Sequence, residues 1–431
     1  MAQHIAVIGA GITGVTTAYL LVQQGYQVSI IDSQRYPAME TSFANGGQLS
    51  ASNAEVWNRW STVLKGLAWM MRSDAPVLVN PRPNWHKASW MAEFIWNIRH
   101  YEANTVATAR LAIAARNELF AMAEHEKIDF DHERRGILHI YRTRQDYEHA
   151  RQVNALLRKG GLEQRTVSDA EIHDIEPALQ DRFYGGFYTP SDSTGDIHKF
   201  TRGLARACER QGAQFIADRT VAAIETSSTG VRINVTIASA DGVGGTSDVI
   251  EADGVVICAG VASRKLAHGL GDRLNVYPVK GYSITVNLPN ESSQKAAPWV
   301  SLLDESAKIV TSRLGPDRLR VAGTAEFNDF NRDIRADRIG PLVVWTRKLF
   351  PGVDTDKIVP WTGLRPMMPS MMPVVRSSKR PRVFYNTGHG HLGWTLSGIT
   401  ARMAANLVAQ QLNGTSLRRS DYGRALMVSA S

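Results

Sequence analysis

The sequence predicts an α/β fold in which a parallel sheet is interleaved with the antiparallel sheet of an α+β second domain. A complete βαβ pattern fills the first 32 residues. Segments that alternate polar and apolar residues follow one another between residues 274 and 325, as strands of an antiparallel sheet do. Residues 383–412 predict a strand, a glycine-rich loop and a long helix.

Composition limits the class of protein. The chain has 431 residues, 43% of them hydrophobic and 21% charged, which is typical of a globular protein with more than one core. It has no uninterrupted apolar run of about 18 residues, and no basic segment precedes the apolar N-terminal stretch, so we expect neither a spanning helix nor a secretory signal. Only Cys208 and Cys258 occur, which excludes a disulfide framework and a multi-cysteine metal cage.

The formal net charge is +8, but the basic residues are spread along the chain. We therefore expect no nucleic-acid partner. No cluster of His, Cys, Asp or Glu has the spacing of metal ligands, so no metal site is predicted. The expected location is cytoplasmic.

The glycine-rich segment that follows the first strand matches the dinucleotide-binding fingerprint. It comes after the apolar strand at residues 4–9, opens a helix that extends to Gln24, and is answered by Asp32 at the end of the second strand. The predicted contacts of this half are Gly9, Ala10, Gly11, Ile12, Thr13, Gly14, Asp32 and Ser33. Glycines allow the tight turn and the approach of a pyrophosphate to the helix N-terminus, and the carboxylate of Asp32 suits a ribose diol.

Two later segments favour FAD over NAD. The apolar strand VVICAG ends in Ala259 and Gly260, small residues that let backbone pass close to a nucleotide. The segment NTGHGHLGWTLSG, residues 386–398, predicts a second helix N-terminus, which suits the negative edge of a reduced flavin. Cofactor binding from both ends of the chain is typical of flavoproteins.

Five segments together resemble the bacterial D-amino acid dehydrogenase family (small subunit type) of the D-amino acid oxidase/glycine oxidase group. They are TSFANGGQLS, VYPVKGYSITV, LLDESAKIVTSR, WTGLRPMMP and NTGHGHLGWTLSG, which occur in the family's order. The resemblance implies non-covalent FAD, a Rossmann-like FAD-binding domain, and hydride transfer from the α-carbon of an amino acid to flavin N5. The products would be a 2-oxo acid and ammonia, with electrons passed to a quinone or dye-type acceptor.

The resemblance also implies further cofactor contacts and a division into domains. The contacts would be Ser42, Asn45, Gly46, Gln48, Val221, Ala259, Gly260, Gly390, His391, Leu392, Gly393, Trp394 and Thr395. Residues 1–85, 150–270 and 355–431 would form the FAD-binding domain, and residues 86–149 and 271–354 the substrate-binding domain. The sequence departs from the family pattern at residues 51–57 and 368–373.

Three residues are candidates for the reaction. Arg365 is predicted to bind the substrate carboxylate, because a guanidinium pairs bidentately with carboxylate; the alternative is a structural arginine. Tyr282 could add a hydroxyl to the same carboxylate or cover the flavin, or be a plain strand aromatic. His391 could tune the flavin charge or take a proton near neutral pH, or serve only as a hydrogen-bonded structural residue.

Six of the ten tryptophans lie between residues 57 and 96, among basic residues. Core packing is one interpretation. The other is a peripheral contact with the inner face of the cytoplasmic membrane, since tryptophan favours the water–lipid boundary and a quinone acceptor is held there.

Three functions are compatible with these observations. The leading hypothesis is an FAD-dependent D-amino acid dehydrogenase. An oxidase of sarcosine, glycine or a proline-like imino acid, which produces hydrogen peroxide, is the second. A flavin-binding redox module without catalysis is the third.

Overall fold

The computed structural model describes residues 2–69, 76–238 and 245–414 of the chain. Its strands, in chain order, are β1 His4–Ile8, β2 Gln27–Ile31, β3 Gln48–Leu49, β4 Val77–Val79, β5 Ile137–Tyr141, β6 Arg165–Val167, β7 Gly185–Thr189, β8 Ser193–Thr194, β9 Gln214–Ile216, β10 Thr220–Thr226, β11 Val231–Ala238, β12 Gly245–Ala252, β13 Gly254–Ile257, β14 Tyr277–Asn287, β15 Ser301–Asp304, β16 Ile309–Arg313, β17 Arg318–Phe327, β18 Ile358–Met367, β19 Val374–Ser377 and β20 Val383–Thr387.

The α-helices are α1 Ile12–Gln23, α2 Trp60–Trp69, α3 Trp85–Trp96, α4 Tyr101–His125, α5 Arg144–Lys159, α6 Asp169–Ile175, α7 Ile197–Arg210, α8 Ser263–Gly269, α9 Glu291–Ala296, α10 Ala336–Leu349 and α11 Gly393–Asn413. Short 3₁₀ helices span Asn97–His100, Gly260–Ala262 and Gly390–Leu392.

The first sheet has six strands in the order β19-β20-β13-β1-β2-β9. All neighbours in it are parallel except β19, which runs antiparallel to β20. Its inner strands are continuous apolar runs because helices cover both faces of such a sheet. The βαβ unit predicted for the first 32 residues is β1, α1 and β2.

The second sheet has nine strands and is mixed. Its main path is β18-β14-β17-β16-β15-β5-β7-β6, and β4 pairs with β17. The long strand β14 is antiparallel to both β17 and β18, as the alternating segments predict, whereas β15 with β5 and β4 with β17 are parallel. A three-stranded sheet, β10-β11-β12, and the pair β3-β8 complete the described strands.

Helices from both ends of the chain share one core. Apolar side chains of α1, α4, α7 and α11 form a continuous buried cluster against β1 and β2. The hydroxyl of Thr16 on α1 donates to the carbonyl of Ser397 on α11, 3.4 Å away. This packing brings the N-termini of α1 and α11 to the same edge of the parallel sheet.

The predicted domain ranges require correction. Strands β4, β6, β7 and β18 lie in the nine-stranded sheet, although their residues fall in the ranges predicted for the FAD-binding domain. Conversely, α4 packs against α1 and α11, although it falls in the range predicted for the other domain. The chain crosses between the two units more often than predicted, because strand pairing and helix packing are set by contacts between residues far apart in sequence.

Among the helices of the described residues, none combines the length and the apolar character that crossing a membrane requires.

Candidate active site

A cavity of about 660 Å³ lies where the carboxyl ends of the parallel strands meet the nine-stranded sheet. Ligands of open parallel sheets bind at this edge. One wall consists of residues at or just after the ends of the parallel strands: Ile8, Ile31, Cys258 and Thr387. The opposite wall comes from β14, β16, β17 and β18.

All but two of the predicted cofactor residues border this cavity. Those at the cavity are Gly9, Gly11, Ile12, Thr13, Asp32, Ser33, Ser42, Asn45, Gly46, Gln48, Val221, Ala259, Gly260, Gly390, His391, Leu392, Gly393, Trp394 and Thr395. Ala10 and Gly14 lie behind the loop and take part in its packing. The sequence thus predicted which segments meet here, and the contacts of each residue with a cofactor stay predictions.

The first loop is shaped by close backbone contacts. Gly9 has φ +106°, and a Cβ on it would lie 2.6 Å from the carbonyl oxygen of Cys258. A Cβ on Gly14 would lie 1.8 Å from the carbonyl oxygen of Gly9, so glycine is required there. A Cβ on Gly11 would meet only Ser42 Oγ, at 3.4 Å. Gly9 and Gly14 are therefore in close contact with backbone atoms of the protein, whereas at Gly11 there is room for a ligand in the cavity.

Helix α1 begins at Ile12, whose N–H donates to Ser42 Oγ at 3.0 Å, and its first turn holds no acidic residue. The positive end of its dipole is therefore not neutralised by its own first turn. Asp32 follows β2 and accepts hydrogen bonds from the N–H groups of Ala10 (2.5 Å) and Gln34 (2.8 Å). Burial raises the pKa of Asp32, and these two bonds oppose that effect.

The segment at residues 41–48 runs along the cavity and is held by the second sheet. Ser283 Oγ donates to the carbonyl of Ala44 at 2.8 Å, and Arg320 Nη1 donates to the carbonyl of Asn45 at 3.0 Å. The side chain of Gln48 donates to Ser301 Oγ at 2.8 Å. The side-chain amide of Gln48 is thus used within the protein.

A second helix N-terminus faces the cavity. The 3₁₀ turn Gly390–Leu392 leads into α11, and no side chain caps either start. The indole N–H of Trp394 is buried and has no hydrogen-bond partner among the described residues.

These features fit FAD. The two helix starts have no acidic residue in their first turns and suit its pyrophosphate and its pyrimidine edge, and Asp32 suits the ribose. Burial raises the thiol pKa of Cys208 and of Cys258 to about 12, so neither is a reactive thiolate for covalent attachment.

Arg365 lies on β18 and is positioned across two neighbouring strands. A Cβ on Gly281 of β14 would lie 2.3 Å from Arg365 Nη2, so the guanidinium occupies the space that a side chain would fill. Arg365 Nη1 donates to the carbonyl of Thr324 on β17 at 2.9 Å. Within the described part of the chain no carboxylate forms an ion pair with it, and burial alone lowers its pKa, to about 10. The guanidinium therefore remains charged at neutral pH beside the cavity.

The hydroxyl of Tyr282 lies on the other face of β14 from Arg365, which fits the alternative of a strand aromatic better than a contact with the same carboxylate. In β14, Gly281 and Val279 face the same side as Arg365, because Val279 pairs with Arg365 and side chains alternate along a strand. Tyr282 points to the opposite side, where its hydroxyl donates to Glu326 at 2.6 Å. Although the residue borders the cavity, its hydroxyl belongs to a buried network on the other face.

His391 is placed as predicted, at the cavity, but with different acid–base properties. Its ring stacks on Trp57 at 4.8 Å, and its Nε2 lies 3.4 Å from the carbonyl of Asn53. Burial, together with the positive charge of Arg365, lowers the pKa of His391 to about 3. A lowered pKa keeps the ring neutral at neutral pH, so it borders the cavity as an uncharged group near Arg365, and its role toward the flavin stays a prediction.

Two contributors to the site were not predicted. They are Gly281, over which the guanidinium of Arg365 packs, and Thr324, whose carbonyl accepts from it. A glycine inside a strand is a signal of a bulge or a close approach, and this signal could have identified Gly281. The role of Thr324 depends on a strand register that no local pattern reveals.

Comparisons with known proteins agree with this geometry. The profile of the DAO family, described as FAD dependent oxidoreductase, matches residues 4–407. The chain is 61% identical to D-amino acid dehydrogenase 3 of Mesorhizobium japonicum over 95% of this chain and 97% of that protein. It is 39% identical to D-amino acid dehydrogenase of Paramagnetospirillum magneticum over 96% and 97%. The crystal structure of glycine oxidase from Geobacillus kaustophilus superimposes with a TM-score of 0.75 at 20% identity, covering 98% of each chain.

Fold and site together define an FAD-dependent oxidoreductase. The chain belongs to the DAO family, within which it is similar along nearly its whole length to D-amino acid dehydrogenases. The predicted fold class, family resemblance and FAD cofactor are confirmed.

Gly11→Ala and Gly14→Ala should affect different properties: the first should weaken FAD binding, and the second should destabilise the fold. An added methyl at Gly11 meets only one side-chain atom of the protein but narrows the cavity, so we expect an intact fold and at least roughly tenfold weaker FAD binding. A methyl at Gly14 collides with backbone, so we expect a loss of roughly 2–4 kcal/mol in the free energy of unfolding.

Urea unfolding of the apoproteins and FAD titration by fluorescence quenching measure these two effects. Equal destabilisation of both variants would contradict the view that only Gly11 faces the cofactor.

Proposed function

We propose that this enzyme catalyses the oxidative deamination of a D-amino acid to a 2-oxo acid and ammonia, with electrons passed to a quinone or dye-type acceptor. The observation that carries the proposal is the charged guanidinium of Arg365 at the cavity, without a carboxylate partner in the described structure. The similarity to proteins named D-amino acid dehydrogenase supports this substrate class.

A half-buried cation without a carboxylate partner costs free energy, which a substrate carboxylate recovers when it binds. Arg365 is held at Nη1 by Thr324 and packed over Gly281, so its orientation is fixed before the substrate binds. A fixed guanidinium binds a planar carboxylate with two parallel hydrogen bonds. An amino acid held in this way has its α-carbon in a defined position, which favours reaction.

One side of the cavity near Arg365 is formed by uncharged rings. His391 stays neutral, and its stack on Trp57 forms an apolar wall beside the guanidinium. Bound FAD supplies the two-electron oxidation of the substrate's Cα–N bond. The chain contributes binding and orientation, and no dedicated protein base is required once the amine is neutral. The oxidation would give an imino acid, which water then hydrolyses to the 2-oxo acid and ammonia.

The proposal is tested by an anaerobic screen of flavin bleaching with both enantiomers of each amino acid and with proline, sarcosine and glycine. We expect D-amino acids to bleach the flavin and their L-enantiomers to leave it oxidised. In a second step, turnover in air should yield little hydrogen peroxide and much reduced dye. Bleaching confined to sarcosine, glycine or proline, with abundant peroxide, would favour an imino-acid oxidase. If the protein is yellow but none of the amines bleaches its flavin, the result would favour a flavin-binding redox module without catalysis.

Gly281→Ala should impair substrate binding without affecting folding. The new methyl would occupy the position of Arg365 Nη2, and the flexible end of the arginine must move away from the carboxylate site. We expect KM for the best D-amino acid to rise at least roughly tenfold, with thermal stability within a few degrees of wild type.

The matched control is Gly340→Ala on the surface side of α10, where an added Cβ has no neighbour within 4 Å. Its KM should equal that of the wild type. A wild-type KM in Gly281→Ala would mean that Arg365 does not bind the carboxylate.

We also propose that α2 and α3 form a peripheral contact with an anionic membrane, which holds a quinone acceptor near the enzyme. On α2, Trp60 (60% exposed) and Leu64 (64%) are four residues apart and so lie on one face. On α3, Trp85 (84%) and Trp96 (63%) are exposed at the two ends. Ser61 and Thr62 of α2 border the cavity, so a bilayer at this helix would lie near the site. Core packing, the other interpretation of these tryptophans, applies to Trp90, which is 2% exposed.

The membrane contact predicts that the wild type co-sediments with vesicles containing phosphatidylglycerol and that Trp60→Ala with Leu64→Ala lowers the bound fraction several-fold. Val344→Ala removes an exposed apolar side chain from α10 and should bind vesicles like the wild type. Equal sedimentation of all three proteins, or none by the wild type, would refute the contact.

A further inference from the structure

Two glycines face each other across strands β14 and β18. Gly281 pairs directly with Gly363, so the two positions that Cβ atoms would occupy lie on one face of the sheet, about 5 Å apart. A glycine inside a strand weakens the strand and often marks a place where another group approaches the backbone closely. The pair therefore indicates that this face of the sheet accommodates two such groups side by side.

The guanidinium of Arg365 occupies one of the two spaces, and the indole of Trp361 occupies the other. A Cβ on Gly281 would lie 2.3 Å from Nη2 of Arg365. A Cβ on Gly363 would lie 2.2 Å from Cη2 of Trp361 and 2.8 Å from its Cζ2. Both side chains leave the same face of β18, because alternate residues of a strand share a face. The six-membered ring of the indole thus lies beside the guanidinium.

The indole is accessible from the cavity. Trp361 is half-buried, and it borders the cavity together with Gly363 and Arg365. The ring also lies near that of Phe43, with 6.5 Å between the ring centroids, but Phe43 does not border the cavity. Packing against Phe43 therefore accounts for one side of the indole, and the side toward the cavity is left for a ligand.

The position of Trp361 favours the substrate as that ligand. The glycine-rich loop at residues 9–14 and the turn at residues 390–392 belong to the wall of the parallel strands, whereas Trp361 and Arg365 belong to the opposite wall. A carboxylate bound to Arg365 brings its α-carbon to this second wall. The side chain on that carbon can then reach the neighbouring indole.

We propose that Trp361 is a specificity-determining residue, whose indole contacts the side chain of the D-amino acid held by Arg365 and favours apolar side chains of leucine size over that of alanine. This inference rests on the proposed function and deepens it by naming the substrate class. An indole offers a large apolar surface, which gains free energy when carbon atoms cover it. The stacked rings of His391 and Trp57 are a second uncharged surface near the same guanidinium.

The test uses three variants of the FAD-loaded enzyme with D-leucine and D-alanine as substrates. Trp361→Ala removes the ring, Trp361→Gln replaces it by a polar amide, and Trp361→Phe keeps an apolar ring. We expect the wild type to have the higher kcat/KM for D-leucine. The ratio of kcat/KM for D-leucine to that for D-alanine should fall roughly tenfold in the first two variants and stay within about threefold in the third, because only the longer side chain loses a contact.

Binding without turnover supplies a second readout. Isocaproate and propionate have the carbon skeletons of leucine and alanine but no amine, and their Kd values can be measured from the change in flavin absorbance. The preference for isocaproate should fall by the same factor in Trp361→Ala. The matched control is Val359→Ala, which shortens an exposed apolar side chain on the same face of β18 that does not border the cavity. Both of its ratios should equal those of the wild type.

The outcomes separate the two proposals. Wild-type ratios in Trp361→Ala, or in Trp361→Gln if the alanine variant does not fold, would overturn the role of Trp361 and leave the proposed function standing. A wild type that prefers D-alanine to D-leucine would do the same. Loss of FAD with unchanged ratios would also overturn this role, because the indole would then contact the cofactor. A wild type that oxidises no D-amino acid would refute the proposed function itself.

Discussion

The guanidinium of Arg365, charged and without a carboxylate partner in the described structure, is the constraint on which the rest of the site depends. Removing a cation from water is unfavourable unless other groups compensate for the lost hydration. Among the described residues, the carbonyl of Thr324 is the one hydrogen-bond acceptor of this guanidinium. The remaining hydrogen-bonding capacity of the guanidinium is available to a ligand. The free energy that folding loses by removing this charge from water can therefore be recovered in part when an anion binds. In a structural ion pair, by contrast, a carboxylate of the protein already compensates for the loss.

The order β18-β14-β17 makes this arrangement possible. Arg365 starts from β18, passes over β14 where Gly281 has no side chain, and reaches the backbone of β17. On the other face of β14, Nζ of the fully buried Lys280 lies 3.3 Å from Oε2 of Glu326. The same carboxylate accepts a hydrogen bond from the hydroxyl of Tyr282. On this face the ammonium of Lys280 is paired with a carboxylate, whereas on the cavity face the guanidinium of Arg365 has no carboxylate partner among the described residues. One strand thus separates a satisfied polar network from an unsatisfied one.

The sequence predicted best what depends on local patterns. The loop at Gly9–Gly14, Asp32 and the helix start within residues 386–398 each follow from short motifs, and Arg365 was chosen because a guanidinium pairs with a carboxylate. The sequence predicted poorly the features that depend on the pairing register of the strands. Whether Tyr282 or Gly281 shares a face with Arg365 is decided by the pairing of Val279 with Arg365, residues 86 positions apart. The domain ranges fail at β4, β6, β7, β18 and α4 for the same reason, since their partners lie far away in the chain. The pKa of His391 depends on burial and on Arg365, neither of which its neighbours in sequence reveal.

The two halves of the cavity are connected by the segment at residues 41–48. Its start is tied to the first loop, because Ile12 N–H donates to Ser42 Oγ at 3.0 Å. Its later backbone is tied to the second sheet by Ser283 of β14 and Arg320 of β17. The same two strands carry Gly281 and Thr324, the residues that position Arg365. The wall that faces the cofactor loop and the strands that orient the guanidinium are therefore parts of one hydrogen-bonded unit, and this unit fixes the distance between the two binding regions without a separate hinge or loop.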